Sequence, residues 1–139
     1  MSLENTTLDE IIDTFEFLDD WEDRYKTIID LGKKLTPLAA EEMTDAFKVR
    51  GCQSQVWLVP TTDADGHIHF RGDSDAHIVK GLVALMILIY SGKTAADILA
   101  VDAKGILGEL GLSAHLSPMR ANGLFSMVER IRDIAESGQ

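Results

Sequence analysis

The sequence predicts an α+β domain in which a three-stranded antiparallel sheet packs against several helices. Two helical segments come first, a stretch rich in valine and aromatic residues follows, and the rest of the chain is helical in pattern. Strands and helices that occur in separate blocks favour an α+β fold over an alternating parallel-sheet fold. The length of 139 residues suits one domain that spans residues 1–139.

The first segment predicts a pair of helices. Thr7 precedes apolar residues at helical spacing, so we expect it to cap the first helix. Asp20 is expected to cap the second helix, which ends at Gly32. The stretch 35–45 contains Pro37 and shows no clean period, which predicts a covering loop with a turn of helix.

The middle of the chain predicts the sheet. Residues 47–59 are rich in valine and aromatic side chains, and the run 51–53 interrupts them, which indicates two strands joined by a turn. Residues 63–66 supply turn chemistry before the alternating strand 67–71. We therefore expect a three-stranded antiparallel meander whose first turn carries Cys52.

The last part of the chain is predicted to be helical. Ser74 is expected to cap a buried helix that ends near Tyr90, with Asp75 in its first turn. Later helices are expected over 94–99, over 103–110 and from the cap Ser117 onward.

Charge and composition disfavour several classes of function. The chain carries 23 acidic and 13 basic residues, a net charge of −10 that repels phosphate backbones and disfavours nucleic-acid binding. The longest apolar run, 82–90, is far shorter than the roughly 20 residues of a membrane span. No basic start resembling a signal peptide is present, and the single cysteine rules out an internal disulfide. The expected compartment is therefore the reducing cytosol.

Two motif-like runs are incomplete. The run SGKT at 91–94 ends like a phosphate-binding loop, but Ile87 stands where that loop needs a glycine. The run from Gly72 to Ala76 resembles a nucleophile elbow without its second glycine. We therefore interpret Ser74 as a helix cap.

The four histidines and one turn offer weaker candidates. Asp63 and Asp65 lack the further acidic ligand of a calcium loop, so we interpret them as turn residues. His67 and His69, two apart on a strand, point the same way and could bind a metal with an outside ligand, or simply form a solvated face. His77 and His115 could be structural.

Cys52 is the strongest candidate for chemistry. A lone intracellular cysteine is usually a small buried hydrophobe, but this one is flanked by Gly51, Gln53 and Ser54, a composition typical of turns. A thiol must become a thiolate to attack, and Arg50 or a distant basic residue could lower its pKa.

The run GCQSQVWL at 51–58 closely resembles the signature of the SufE family, the sulfur-acceptor proteins of iron-sulfur cluster assembly. Further blocks resemble the family in the same order: Trp21, Arg24, Tyr25, Ile28, Ile29, Leu31 and Gly32, then GDSDAHIVKGL at 72–82, and HLSPMRANGL at 115–124. Together these blocks span most of the chain.

The resemblance implies a curved three-stranded antiparallel sheet packed against helices, related to the U-type iron-sulfur scaffolds, with Cys52 at a loop tip between strands. It implies that Cys52 takes sulfur from a persulfide on a SufS- or CsdA-type cysteine desulfurase, stimulates that enzyme and passes sulfur to a SufBCD-type complex. The pyridoxal phosphate belongs to the desulfurase, so no cofactor or metal is implied for this chain. The sequence predicts no oligomeric state.

The resemblance also implies roles for the neighbours of the thiol. Arg120 matches the basic residue expected near it and could stabilise a thiolate or persulfide, or alternatively bond a loop carbonyl. Gly51, Gln53, Ser54 and Asp75 would lie on the surface that contacts the desulfurase. The Cys52 side chain would rest against apolar residues and swing out when the partner docks.

Two other classes of function stay open at this point. An enzyme using Cys52 as a nucleophile on a small substrate would need an adjacent base such as His77 or His115. A plain interaction module or cluster scaffold is the other class, although one cysteine and scattered histidines are a poor ligand set.

Overall fold

The chain forms two N-terminal helices, a small antiparallel sheet and a C-terminal set of helices. The computed structural model describes residues 6–51 and 54–137. The elements follow in this order: α1 (Leu8–Phe17), α2 (Trp21–Gly32), a 3-10 turn (Ala40–Glu42), β1 (Val56–Thr62), β2 (His67–Ser74), α3 (His77–Tyr90), β3 (Lys93–Thr94), α4 (Ala95–Ala100), α5 (Ala103–Glu109), α6 (Leu112–His115) and α7 (Pro118–Glu136). This order confirms the predicted α+β fold class.

The sheet has the order β1-β2-β3 and is antiparallel throughout. The predicted hairpin is present, with β1 paired to β2 from Val56 opposite Ser74 to Thr62 opposite Ile68. The third strand is β3, a two-residue segment after α3 that pairs with the start of β2.

The expectation of a strand before the Cys52 turn was therefore wrong, and the third strand of the sheet is β3 instead. The segment before the Cys52 turn forms only an isolated bridge, Lys48 opposite Trp57, with the Val49 N–H donating to the Val56 carbonyl at 2.8 Å. The residues just before Lys48 form a turn, in which the Phe47 N–H donates to the Thr44 carbonyl at 3.1 Å.

Local capping fixes the N-termini of most helices at the predicted residues. Thr7 Oγ1 accepts from the Glu10 N–H at 3.2 Å, and Asp20 Oδ1 accepts from the Glu22 N–H at 2.9 Å. The expectation for Ser74 was wrong, because this residue is the last of β2 and α3 begins three residues later.

Helix α3 forms the centre of the core. Its residues from Gly81 to Ile87, together with Ile89 and Tyr90, are buried. It packs against α2 at very close range, since a Cβ placed on Gly81 would overlap the Ile28 carbonyl oxygen. Within residues 6–51 and 54–137, no helix is both long and apolar enough to cross a membrane.

Three residues of α2 that resemble the family, Trp21, Arg24 and Tyr25, connect α2 to α1 and α6. The Arg24 guanidinium donates to the Phe15 carbonyl at 2.6 Å, at the C-terminal end of α1. The Trp21 ring stacks on the His115 ring with 4.1 Å between centroids, and the Tyr25 hydroxyl donates to the His115 carbonyl at 2.5 Å. His115 ends the short helix α6, which the sequence did not predict, and its ring packs against the aromatic residue of α2.

Candidate functional site

The segment predicted to carry the reactive thiol is located by its two flanks. Cys52 and Gln53 lie outside the described residues. Gly51 ends the preceding segment with a φ of +89°, and Ser54 begins the following one. The bridge to β1 and the start of β1 itself therefore bring both ends of the segment to one edge of the sheet.

The flank before the thiol lies against α7. A Cβ placed on Gly51 would stand 2.5 Å from Ser126 Oγ and 3.3 Å from Ser126 Cβ. The positive φ also favours glycine, because side chains strain that region of backbone. Both the backbone conformation and the space beside α7 therefore favour glycine here.

The flank after the thiol is held by the connection between β2 and α3. The Gln55 N–H donates to Asp75 Oδ1 at 3.0 Å, and the Asp75 N–H donates to the Gln55 carbonyl at 3.3 Å. Asp75 was expected in the first turn of α3, but it precedes the helix because Ser74 belongs to β2. Asp75 is exposed, and its side chain holds the backbone of Gln55, which follows Gln53 by two residues.

A narrow cleft lies beside Ser54, between α3 and α7. Its volume is about 130 Å³. The lining is mostly apolar: Ser54, Ala76, Ile78, Val79, Leu82, Met119, Arg120, Gly123 and Met127. The cleft could shelter a small apolar or polarisable group beside the thiol segment.

Arg120 lines this cleft and is exposed near the start of α7. Its backbone N–H donates to the cap Ser117 Oγ at 3.4 Å. Within residues 6–51 and 54–137, no hydrogen bond or ion pair to its guanidinium is found, so the alternative bond to a loop carbonyl is not seen there. The structure thus brings Arg120 and Ser54 to one cleft.

The histidines considered as catalytic bases lie in different settings. The His115 ring stacks on the Trp21 ring. His77 is exposed at the start of α3. Arg50, the other suggested cation, is exposed and borders a groove that Ser126 and Arg130 of α7 also line.

Sequence reasoning missed Ser126 and the apolar walls of the cleft. The walls carried a readable signal, because Met119, Gly123 and Met127 are spaced four apart and share one face of α7. Ser126 carried no such sequence signal, because it lies beside Gly51, which is far away in the sequence.

Comparison with known proteins agrees with this architecture. Residues 9–135 match the SufE family, described as an Fe-S metabolism associated domain. An uncharacterised SufE-like protein of Rhizobium etli is 56% identical over 133 residues, which cover 94% of this chain and 90% of that protein. Another of Rhizobium meliloti is 52% identical over 134 residues, with 94% and 96% covered.

The same fold occurs in a solved structure. The solution structure of a hypothetical protein from Thermus thermophilus superposes with a TM-score of 0.75 at 20% identity, covering 94% of each chain. This likeness concerns the fold, whereas the family match rests on sequence. The chain belongs to the SufE family.

Proposed function

We propose that this chain is a sulfur-acceptor and relay protein of iron-sulfur cluster assembly, with Cys52 as the acceptor. The observation that carries the proposal is the position of the thiol segment's flanks. Gly51 lies on α7, and Ser54 opens onto a cleft that Arg120 also lines. Membership of a family described by Fe-S metabolism supports the same role.

The donor is a cysteine desulfurase of the SufS or CsdA type, which holds sulfur as a persulfide on its own cysteine. The Cys52 thiolate attacks the terminal sulfur of that persulfide. A bond forms between Cys52 Sγ and the terminal sulfur, while the bond to the desulfurase cysteine breaks and that cysteine leaves as a thiolate. The exchange needs no outside oxidant or reductant, so one cysteine is enough.

Arg120 supplies positive charge at the acceptor. A cation near a cysteine favours the thiolate over the thiol, and it would also stabilise the persulfide anion formed by the transfer. Among the described residues, no side chain forms an ion pair with the guanidinium, and Arg120 lines the cleft beside Ser54.

Docking on the desulfurase uses the surface around the thiol segment, formed by Gly51, Gln53, Ser54 and Asp75. Asp75 is exposed while it holds the Gln55 backbone. A partner that contacts Asp75 therefore also contacts the element that fixes one flank of the segment.

The onward acceptor is a complex of the SufBCD type, in the reducing cytosol. Removal of sulfur from the desulfurase frees its cysteine for another cycle, and this accounts for stimulation of the enzyme. Pyridoxal phosphate belongs to the desulfurase, and the relay itself uses no metal or cofactor.

Substitution of Cys52 by serine tests the proposal. Serine is close to cysteine in size, but its hydroxyl is scarcely ionised at neutral pH and forms no persulfide. The variant should bind the desulfurase with an affinity similar to that of the parent chain. It should not accelerate sulfide production beyond the rate of the desulfurase alone.

The two readouts are needed together. Binding is measured by calorimetry and stimulation by sulfide release, at the same concentrations of both proteins. A Cys52→Ser chain that still stimulates fully would show that the chain acts on the conformation of the desulfurase and that Cys52 is not the acceptor.

A further inference from the structure

The tip of the β1–β2 hairpin gathers metal-binding side chains that sulfur transfer does not use. One ligand atom from each of Asp63, Asp65 and His67 lies within 4.8 Å of the other two. His69 joins this group, since its Nε2 is 3.0 Å from Asp63 Oδ2. We call these four residues the hairpin cluster.

The hairpin turn holds the central carboxylate in place. Asp63 Oδ1 accepts from the Asp65 N–H and from the His67 N–H, both at 3.0 Å. The other oxygen, Asp63 Oδ2, is bonded to His69 Nε2 at 3.0 Å. An oriented carboxylate therefore stands between the two imidazoles.

The donor set suits a borderline transition metal. Zinc binds imidazole nitrogen and carboxylate oxygen at about 2.0–2.2 Å, often with three protein ligands and a water. Neighbouring donors of a tetrahedral zinc then lie about 3.3 Å apart, and His67 Nδ1 is 3.6 Å from Asp63 Oδ1. Because the turn holds Asp63, small rotations of the Asp65 and His67 side chains would bring the donors to coordinating distance.

We propose that Asp63, Asp65 and His67 bind a divalent transition-metal ion, with Zn²⁺ as the reference ion. His69 is a positioning residue that holds the Asp63 carboxylate, and water completes the coordination. A hydrogen-bonded partner of a ligand commonly changes metal affinity by about 10- to 100-fold. Hard ions such as Mg²⁺ prefer oxygen ligands alone, so the imidazole disfavours them.

The site lies away from the thiol segment along the sheet. Strand β1 has seven residues from Val56, beside the segment, to Thr62, beside the turn. At about 3.3 Å per residue the hairpin cluster is on the order of 20 Å from the flank of Cys52. The inference is thus independent of the proposed sulfur relay.

The experiment is a calorimetric titration of the tag-free chain with zinc chloride. The Cys52→Ser chain serves as parent, because a thiolate is itself a zinc ligand. We expect one zinc per chain. His67→Ala in this parent should weaken binding at least tenfold, and Asp63→Asn should do the same.

Asp63→Asn separates ligation from folding, because the asparagine side-chain oxygen can accept the same two backbone N–H groups. The matched control is His77→Ala, which removes an exposed histidine from the start of α3 and should leave zinc binding unchanged. The inference is overturned if the parent binds no zinc saturably, if His67→Ala binds as the parent does, or if His77→Ala loses as much affinity as His67→Ala.

Discussion

Replacing Gly51 by alanine tests whether the segment before Cys52 is fixed against α7. The backbone at Gly51 has a φ of +89°, where a side chain costs about 1–2 kcal/mol. The new Cβ would stand 2.5 Å from Ser126 Oγ, and a serine side chain pushed about 30° off its rotamer to relieve this contact costs about 0.5–1.5 kcal/mol. The free energy of unfolding should therefore fall by about 1.5–3.5 kcal/mol.

Gly66 supplies the control for backbone strain alone. Its φ is +84°, but a Cβ placed on it meets no atom within 4 Å. Gly66→Ala should therefore cost only the backbone term of about 1–2 kcal/mol. The excess cost of Gly51→Ala over Gly66→Ala measures the contact with α7.

The assay is urea unfolding of four variants. Three are the single variants Gly51→Ala, Gly66→Ala and Ser126→Ala, and the fourth is the double variant Gly51→Ala with Ser126→Ala. Ser126→Ala removes the hydroxyl oxygen, so it should reduce the cost of Gly51→Ala by about 1 kcal/mol. If Gly51→Ala costs no more than Gly66→Ala and does not couple to Ser126→Ala, the segment is not packed on α7 and the reasoning fails.

Two further predictions concern side chains. Arg120→Ala should slow sulfur uptake from the desulfurase but change the free energy of unfolding by no more than about 0.5 kcal/mol, because the guanidinium is exposed; Arg120→Lys should retain part of the rate. Glu42→Gln should lower stability at neutral pH, because the Arg71 guanidinium and the Ala39 N–H bond the carboxylate and lower the pKa of Glu42. A carboxyl whose pKa is lowered by folding stabilises the fold above its ordinary value of 4.5, and this is lost as pH falls below it.

Each of these has a clear contrary result. Equal uptake rates for the parent chain and Arg120→Ala, at matched desulfurase concentration, would remove Arg120 from the site. Stability curves of the parent and Glu42→Gln that stay parallel from neutral pH to well below 4.5 would show that the Glu42 pair adds nothing to the fold.

Local signals predicted the helices well. The caps Thr7 and Asp20 act within three residues of themselves, so the starts of α1 and α2 can be read from sequence. Ser74 has the same chemistry, but pairing with Val56 draws it into β2. A pairing between residues 18 positions apart thus overrides a local capping preference.

The third strand could not be predicted for a similar reason. Lys93 and Thr94 form a strand only because His67 and Ile68 lie beside them. Two residues carry no alternating pattern, and the sequence predicts Thr94 as the start of the next helix. In the structure Thr94 caps that helix, because its Oγ1 accepts from the Asp97 N–H.

The site was predicted as a set of residues but not as an arrangement. The resemblance implied separate roles for Ser54 and Arg120, and in the structure both residues line one cleft. The bond between Asp75 and Gln55 and the contact of Gly51 with Ser126 depend on how β2, α3 and α7 pack. No local sequence pattern encodes such contacts.

The central claim is that Cys52 accepts sulfur from a desulfurase. Its most direct test is to incubate the chain with a cysteine desulfurase and L-cysteine, measure the intact mass without reductant, and locate the modification by peptide mapping. We predict a gain of one sulfur atom on the peptide that contains Cys52, reversed by a reducing agent. A chain that gains no sulfur while the desulfurase itself is persulfidated would contradict the account.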